Sequence, residues 1–158
     1  MILLVAAALA GTTTFGFGTG LDARLGKGAV FIGYGAGPTV RHTFDDTWDI
    51  HGEARLLVLA GATGLVRVGV GAQLTRGSWS PGVGLDAGLF LGASLRAVTA
   101  ENPVLAPDLA PVLQLRLDPL RFSGDTWTAE VLRLQVGAGL DRGELAPAIG
   151  VTVVEVGF

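Results

Sequence analysis

The sequence predicts an all-β fold, an eight-stranded antiparallel up-and-down transmembrane β-barrel. Hydrophobic residues recur with a period of two along most of the chain, and charges collect on the opposite face of the same segments. Hydrophobic residues make up 49% of the chain, charged residues 16%, and the mean hydropathy is +0.53. After Leu9, however, no apolar run approaches the roughly 18–20 residues of a spanning helix. Such a chain needs either a large core or a barrel whose apolar face meets lipid.

The length and charge of the chain limit its organisation and its partners. A chain of 158 residues is enough for one domain, and it contains no cysteine for disulfides or thiolate metal sites. The net charge of −3 gives no support to nucleic-acid binding, which usually needs a basic patch. We therefore expect a single domain that binds no nucleic acid.

The amino-terminal segment has features of a secretory signal peptide. An apolar run covers Ile2 to Leu9, and Ala8-Leu9-Ala10 has the small-x-small pattern of a cleavage site. No Lys or Arg precedes the run, so a start further upstream or a short structural element are the alternatives. The prediction is a signal peptide over residues 1–10 and one barrel domain over residues 11–158.

Glycine, proline and other turn residues separate eight segments in which apolar and polar residues alternate. No helix is predicted, because glycine is too frequent for helix interiors. The predicted strands are Thr14–Leu25, Ala29–His42, Trp48–Leu59, Leu65–Thr75, Gly82–Ala97, Asp108–Leu117, Thr128–Asp141 and Ala148–Phe158.

Charged residues sort strongly by face along these strands. Of fifteen, only Glu130 lies on the predicted apolar face. The polar face has no lysine, many glycines and equal numbers of arginines and acids, which is typical of a crowded barrel lumen. The predicted lumenal charge network consists of Asp22, Arg24, Glu53, Arg55, Arg67, Asp86, Arg96, Asp108, Arg116, Arg133, Asp141 and Glu155.

A soluble β-barrel or sandwich also has one apolar face, so alternation alone leaves that alternative open. A soluble or periplasmic barrel would bind an apolar ligand inside and would turn Leu85, Leu89 and Leu91 toward its axis. The direction of these three side chains separates the two hypotheses.

Aromatic residues give an independent indication of a membrane barrel. In an up-and-down barrel the second, fourth and sixth turns lie at the end that carries both termini, and all three tryptophans fall at those turns. Such a ring is typical of an interfacial aromatic girdle. The predicted members are Phe15, Phe44, Trp48, Trp79, Phe122, Trp127 and Phe158.

The last strand, Gly150 to Phe158, resembles the carboxy-terminal targeting signal of bacterial outer-membrane barrels. Val154, Val156 and Phe158 match its alternating apolar pattern and final aromatic, whereas Gly150 and Thr152 match it less well. The chain is thus similar to the group of the OmpA transmembrane domain, OmpX and OmpW, although its external connections are short.

That resemblance implies an outer-membrane location in a Gram-negative bacterium, with outer-membrane lipid and the barrel-assembly machinery as partners. It also implies that Val154, Val156 and Phe158 act as an assembly signal, and that the tryptophan end faces the periplasm. We expect a structural or small-solute, porin-like role without catalysis.

Two groups of residues could carry chemistry. His51, Glu53 and Arg55 alternate along one strand and so share the lumen face, as a general-base pair or a set of metal ligands would. The favoured interpretation is that these residues are part of the ion-pair network. A lipid-modifying barrel, such as a lipid A deacylase or acyltransferase, would need histidine beside serine or aspartate, and no such set assembles. We therefore expect no catalytic residue, no metal and no cofactor.

The glycine-rich segment from Gly33 to Gly37 is not followed by a helix, so it does not qualify as a phosphate-binding loop.

Overall fold

The computed structural model describes residues 11–26, 29–44, 47–58, 61–74, 77–97, 103–141 and 143–158. Within these ranges, the side chains of residues 26, 29–31, 61–62, 92–97, 103–108 and 141 are not described. The predicted signal peptide, residues 1–10, lies outside the described residues. No helix among the described residues is long and apolar enough to cross a membrane.

Eight antiparallel strands form one closed barrel, which confirms the predicted fold class. The strands are β1 Thr12–Gly26, β2 Ala29–Phe44, β3 Trp48–Val58, β4 Gly61–Gln73, β5 Gly82–Ala97, β6 Pro103–Ser123, β7 Thr128–Asp141 and β8 Glu144–Gly157.

Each strand pairs with the next, and β1 pairs with β8 to close the sheet. Backbone hydrogen bonds of 2.9 Å join Phe15 and Phe158 in both directions, so the first and last strands meet at one end of the barrel. We call this the Phe158 end, and the other the opposite end. At the β7–β8 turn, Gly143 has a φ of 81°, a backbone conformation that glycine adopts without strain.

Strand boundaries follow the prediction closely for β5 and β7, and least closely for β6. The prolines before Asp108 lie outside the predicted strand, but β6 extends from Pro103 to Ser123. Proline lacks only the N–H donor, so a strand can pass through it where no ladder bond is donated. At the other end, β6 continues beyond the predicted last residue, Leu117.

The leucine-rich face of β5 points outward. Leu85 is 48% exposed, Leu91 is also exposed and Leu89 is half-buried, whereas Asp86 and Phe90 between them are buried. The soluble alternative required the three leucines to converge on the barrel axis, so that hypothesis is wrong.

Three neighbouring strands interrupt the alternation at one level near the Phe158 end. In each of them two successive residues, instead of one, lie between two buried residues, and we call this irregularity the phase step. The buried residues on either side of it are Asp118 and Arg121 on β6, Glu130 and Arg133 on β7, and Thr152 and Glu155 on β8. The steps are adjacent, because Arg121 pairs with Glu130, and Glu130 with Glu155. Register shifts accompany them on β6 and at the β1–β8 seam, as β-bulges produce.

The phase step corrects two predictions made from strict alternation. Glu130, the one charge assigned to the apolar face, is 1% exposed and points inward. Thr152 and Gly150, assigned with Val154 to the alternating outer face of β8, are also buried, whereas Val153 and Val154 are both exposed. A single extra residue reverses the face of every position on one side of it.

Candidate functional site

The barrel interior holds a balanced set of buried charges. Of the twelve residues predicted for the network, nine have described side chains and all nine are buried; the side chains of Arg96, Asp108 and Asp141 are not described. Among the described side chains, seven arginines and seven carboxylates are at most 4% exposed: Arg24, Arg41, Arg55, Arg67, Arg116, Arg121, Arg133, Asp22, Asp49, Glu53, Asp86, Asp118, Glu130 and Glu155.

Glu53 on β3 lies at the centre of the network. Its Oε1 accepts a hydrogen bond from Arg67 at 2.5 Å, and its Oε2 accepts from Arg55 at 2.9 Å and Arg133 at 3.1 Å. Arg67 also donates to Asp22 on β1. One carboxylate and its arginines thus link strands on opposite sides of the lumen, which stiffens the barrel across its axis.

Gln135 connects this centre to β5. Its Oε1 accepts a hydrogen bond from Arg67 at 2.5 Å, and its Nε2 donates to Asp86 at 2.6 Å. A neutral amide can accept from a cation and donate to an anion at once, so it extends the network without changing its charge.

A second cluster lies at the phase step. Arg133 donates to both oxygens of Glu130, at 2.9 and 2.7 Å, and to Glu155 at 2.7 Å. Arg41 on β2 donates to Glu130 at 2.8 Å. Because Glu130 points inward only through the phase step, this irregularity supplies the acid that Arg41 and Arg133 share.

A third cluster surrounds Asp49 and Asp118. Asp49 accepts hydrogen bonds from Arg116 at 2.6 Å and Arg121 at 2.7 Å. Asp118 lies 3.2 Å from Arg116, 3.4 Å from Arg133 and 3.7 Å from Arg121. Buried charges are tolerated when they are paired in this way.

Inward glycines make room for the long arginine side chains. A Cβ atom on Gly84 would lie 2.8 Å from Nη2 of Arg116, and a Cβ on Gly150 would lie 2.8 Å from Oδ1 of Asp22. Gly71 also lies against Arg116, and Gly69 against Asp86. The glycine-rich polar face noted in the sequence therefore makes steric space for the network.

His51, Glu53 and Glu155 form the group closest to a metal-ligand set. One potential ligand atom from each lies within 4.8 Å of the others, and all three residues are buried. Arg133, however, donates to Glu53 and to Glu155, so its guanidinium already provides the positive charge between these carboxylates. His51 Nε2 lies 3.5 Å from Glu155. The geometry fits an ion-pair network better than a cation site.

The histidines and serines do not form a nucleophile–base pair among the described side chains. His42 Nδ1 lies 2.7 Å from the Thr13 hydroxyl, and neither ring nitrogen of His51 has a hydrogen-bond partner. Ser80 and Ser123 contact each other at 3.0 Å. The described side chains therefore provide no histidine that could activate a serine.

The seven predicted girdle residues all lie near the Phe158 end. Trp48 pairs with Phe44 across one turn, and Trp79 pairs with Phe122 and donates its indole N–H to the Pro119 carbonyl at 3.1 Å. Trp127 precedes β7, and Phe15 pairs with Phe158. Four of the seven are strongly exposed, namely Phe15, Trp48, Trp79 and Phe158.

A polar cavity of about 320 Å³ lies at the same end, inside the ring of strand ends. We call it the vestibule. Its lining is mostly hydroxyl and amide groups, with one acid: Thr12, Thr14, Thr43, Gln73, Gly77, Ser78, Ser123, Gly124, Asp125 and Thr128.

Four network residues are absent from the predicted set, namely Arg41, Asp49, Asp118 and Arg121, and Glu130 is predicted on the apolar face. A signal was present, because Asp118–Arg121, Glu130–Arg133 and Thr152–Glu155 all have two mostly apolar residues between two polar ones. Three such intervals in consecutive strands indicate bulges at the same height in the barrel, rather than a single charged residue on the apolar face.

Comparison with solved structures finds barrels of the same shape. Neisserial surface protein A gives a TM-score of 0.59 at 7% identity, covering 92% of this chain and 95% of that chain. The N-terminal β-barrel domain of Pseudomonas aeruginosa OprF gives 0.56 at 11% identity, covering 94% and 99%. No protein-family model and no curated protein sequence match the chain.

The closed strand order and these similarities define the class of the molecule. It is a small eight-stranded β-barrel, and its structural neighbours are bacterial outer-membrane proteins. The chain has the fold of the OmpA-like barrels, as the resemblance of its last strand to the outer-membrane signal implies.

Proposed function

We propose that the chain is a bacterial outer-membrane barrel protein with a structural or small-solute role, an interior filled by the arginine–carboxylate network, and no catalytic activity. The observation that carries the proposal is the reversal of polarity across the barrel wall. Exposed positions hold large apolar residues on every strand, while the described arginines are all buried.

Water would not favour this distribution. The largest apolar patch on a soluble monomer is typically only about 300–600 Å². Here leucine, valine, isoleucine and phenylalanine side chains are exposed all around the barrel, including Ile50, Val68, Leu115 and Val136. A hydrocarbon environment removes the free-energy cost of exposing these apolar side chains to water. Closure of the sheet pairs the backbone N–H and C=O groups, with which lipid cannot form hydrogen bonds.

The aromatic residues support an orientation. Tryptophan and phenylalanine near the Phe158 end suit the boundary between hydrocarbon and water. By the usual arrangement of outer-membrane barrels, the Phe158 end and its vestibule face the periplasm.

The proposed role is structural because the lumen is packed by side chains. Eight strands give an interior just wide enough for side chains to fill. The absence of catalysis is supported by the described histidines, which have no serine partner. Outer-membrane lipid and the barrel-assembly machinery are the proposed partners.

Folding into detergent micelles or lipid vesicles tests the proposal. We expect a β-rich circular-dichroism spectrum and a band on gels whose mobility changes on heating. A well-behaved monomer that needs no detergent would contradict a membrane location. Release of fatty acid from lipid A, followed by mass spectrometry, would contradict the absence of catalysis.

A further inference from the structure

The barrel interior is divided into two layers of different chemistry. Beyond the ion-pair network, six buried apolar residues pack against one another across the lumen, and we call them the apolar layer: Leu57, Leu65, Phe90, Ala110, Val112 and Ala148. The polar face predicted from the sequence consists of charged and small residues, so this layer is not among the predictions.

Strand direction places the apolar layer on the side away from the Phe158 end. On β3, which runs away from that end, Leu57 follows Arg55 as the next inward residue. On β4, which returns toward it, Leu65 precedes Arg67 in the same way. The apolar layer therefore separates the described side chains of the network from the opposite end of the barrel, whereas Arg96, Asp108 and Asp141 of the predicted network lie beyond it along their strands.

The two layers differ in their capacity to hold water. In the network, several buried polar atoms have no hydrogen-bond partner, among them Nε2 and Oε1 of Gln114 and Nη1 of Arg41. Such atoms can bind water that enters from the vestibule. The six residues of the apolar layer offer no polar side-chain atom, and the buried Thr63, which pairs with Leu57, adds a single hydroxyl at their level. Hydrophobic constrictions exclude water and ions by dewetting.

Among the described side chains, two charged residues reach the level of the apolar layer, and both contact other interior residues. Asp22 accepts a hydrogen bond from Arg67 and so turns toward the network. The guanidinium of Arg24 lies 5.3 Å from the centre of the Phe90 ring, a cation–π distance. The guanidinium of Arg24 thus packs against the Phe90 ring.

We propose that the apolar layer, and not the ion-pair network, is the barrier that closes the lumen to water and ions. The network and vestibule are then accessible to solvent from the Phe158 end only. This inference rests on the proposed function in one respect, because it assumes that the barrel spans a bilayer.

Single-channel recording tests which layer is the barrier. We compare the wild-type chain with Phe90→Ser, which makes the apolar layer polar, and with Phe90→Leu, which keeps it apolar. Arg67→Gln is the matched change in the network. Each protein is first shown to be folded in vesicles by circular dichroism and heat-modifiable mobility, since failure at that step contradicts the proposed function and not this inference.

We expect stable conductance steps from Phe90→Ser, and only the bare-bilayer baseline from the wild type, Phe90→Leu and Arg67→Gln. Conductance from Arg67→Gln equal to or above that of Phe90→Ser would overturn the proposal, because the network would then be the barrier. Stable conductance from the folded wild type would overturn it as well.

Thiol labelling gives a second readout that needs no current. The chain contains no cysteine, so single substitutions report on one position each. With a membrane-impermeant thiol reagent, Ser123→Cys in the vestibule should react quickly and Ala148→Cys in the apolar layer should be protected. Adding Phe90→Ser should make Ala148→Cys reactive. If Ala148→Cys reacts as fast as Ser123→Cys in the otherwise wild-type chain, the apolar layer does not exclude water and the proposal fails.

Discussion

A charged residue in this interior depends on several partners at once. Arg67 is 1% exposed and donates hydrogen bonds to Glu53, Asp22 and Gln135, which lie on three other strands. Removing one member of such a set leaves the remaining charges buried and unpaired. The loss of folding free energy on substitution therefore depends on the partners left buried and unpaired as much as on the lost contacts.

Arg67→Ala should lower the free energy of unfolding by about 3–5 kcal/mol, the range for breaking a buried ion pair. Urea titration in detergent micelles, followed by tryptophan fluorescence, measures the change. Asp125→Ala, in an exposed turn, is the control and should change stability little. Equal, small effects from both substitutions would mean that water bathes the Arg67 side chain.

Glycines on the inner face should differ sharply in their tolerance of a methyl group. Gly84→Ala would bring Cβ within 2.9 Å of both Nη2 and Nε of Arg116, and within 2.6 Å of the Val70 carbonyl. At Gly18, also inward, the nearest atom would lie at an ordinary 3.4 Å. We expect Gly84→Ala to destabilise by about 1–3 kcal/mol, as overpacking does. Gly18→Ala should be close to neutral, and the same urea titration would contradict this account if the two variants were indistinguishable.

Among the strands, the sequence predicted what depends on local pattern and failed where neighbouring strands set the geometry. Alternation and turn residues located all eight strands, and β5 matches from Gly82 to Ala97. The inward position of Glu130 depends on bulges shared with β6 and β8, which the period of one strand cannot show. Phe90 was missed for a related reason, because its burial depends on which inward residues of four other strands meet at its level.

The phase step predicts that two successive residues of β8 both face lipid. Val153→Arg and Val154→Arg should each hinder folding into vesicles, by about 1–3 kcal/mol, between the interfacial and midplane values for a lipid-facing arginine. Strict alternation would instead turn one of these positions inward. The fraction of heat-modifiable band, with Val153→Leu and Val154→Leu as controls, distinguishes the two arrangements. Tolerance of arginine at one position only would contradict a step on β8.

The carboxy-terminal residue allows assembly to be separated from stability. Phe158 is 77% exposed, and its ladder bonds to Phe15 use backbone atoms only. Phe158→Ala should therefore leave folding into detergent nearly unchanged but reduce assembly into the outer membrane of cells, if Val154, Val156 and Phe158 form the proposed assembly signal. Membrane fractionation beside refolding yield measures both. Unchanged assembly of the variant in cells would show that the final aromatic is not needed as a signal.

At the scale of the whole molecule, the barrel is polarised along its axis as well as across its wall. The Phe158 end carries the aromatic ring, the vestibule and the second and third charge clusters, whereas the apolar layer lies toward the opposite end. An end lined by hydroxyl groups and surrounded by exposed aromatic rings matches a water boundary on one side of a bilayer. Under the proposed membrane location, the direction of insertion decides which compartment the vestibule and the network face.

This axial polarity predicts that Trp48, Trp79 and Trp127 share one depth in the membrane. In vesicles with brominated lipids, all three should be quenched most strongly by bromine near the headgroups, because each lies at a turn of the Phe158 end. Single-tryptophan variants, with the other two positions changed to phenylalanine, resolve the three signals. In vesicles with uniform insertion, an aqueous quencher should act on all three from the same side. Strongest quenching of any one tryptophan by bromine at the bilayer centre would contradict the ring, and the proposed orientation would lose its support.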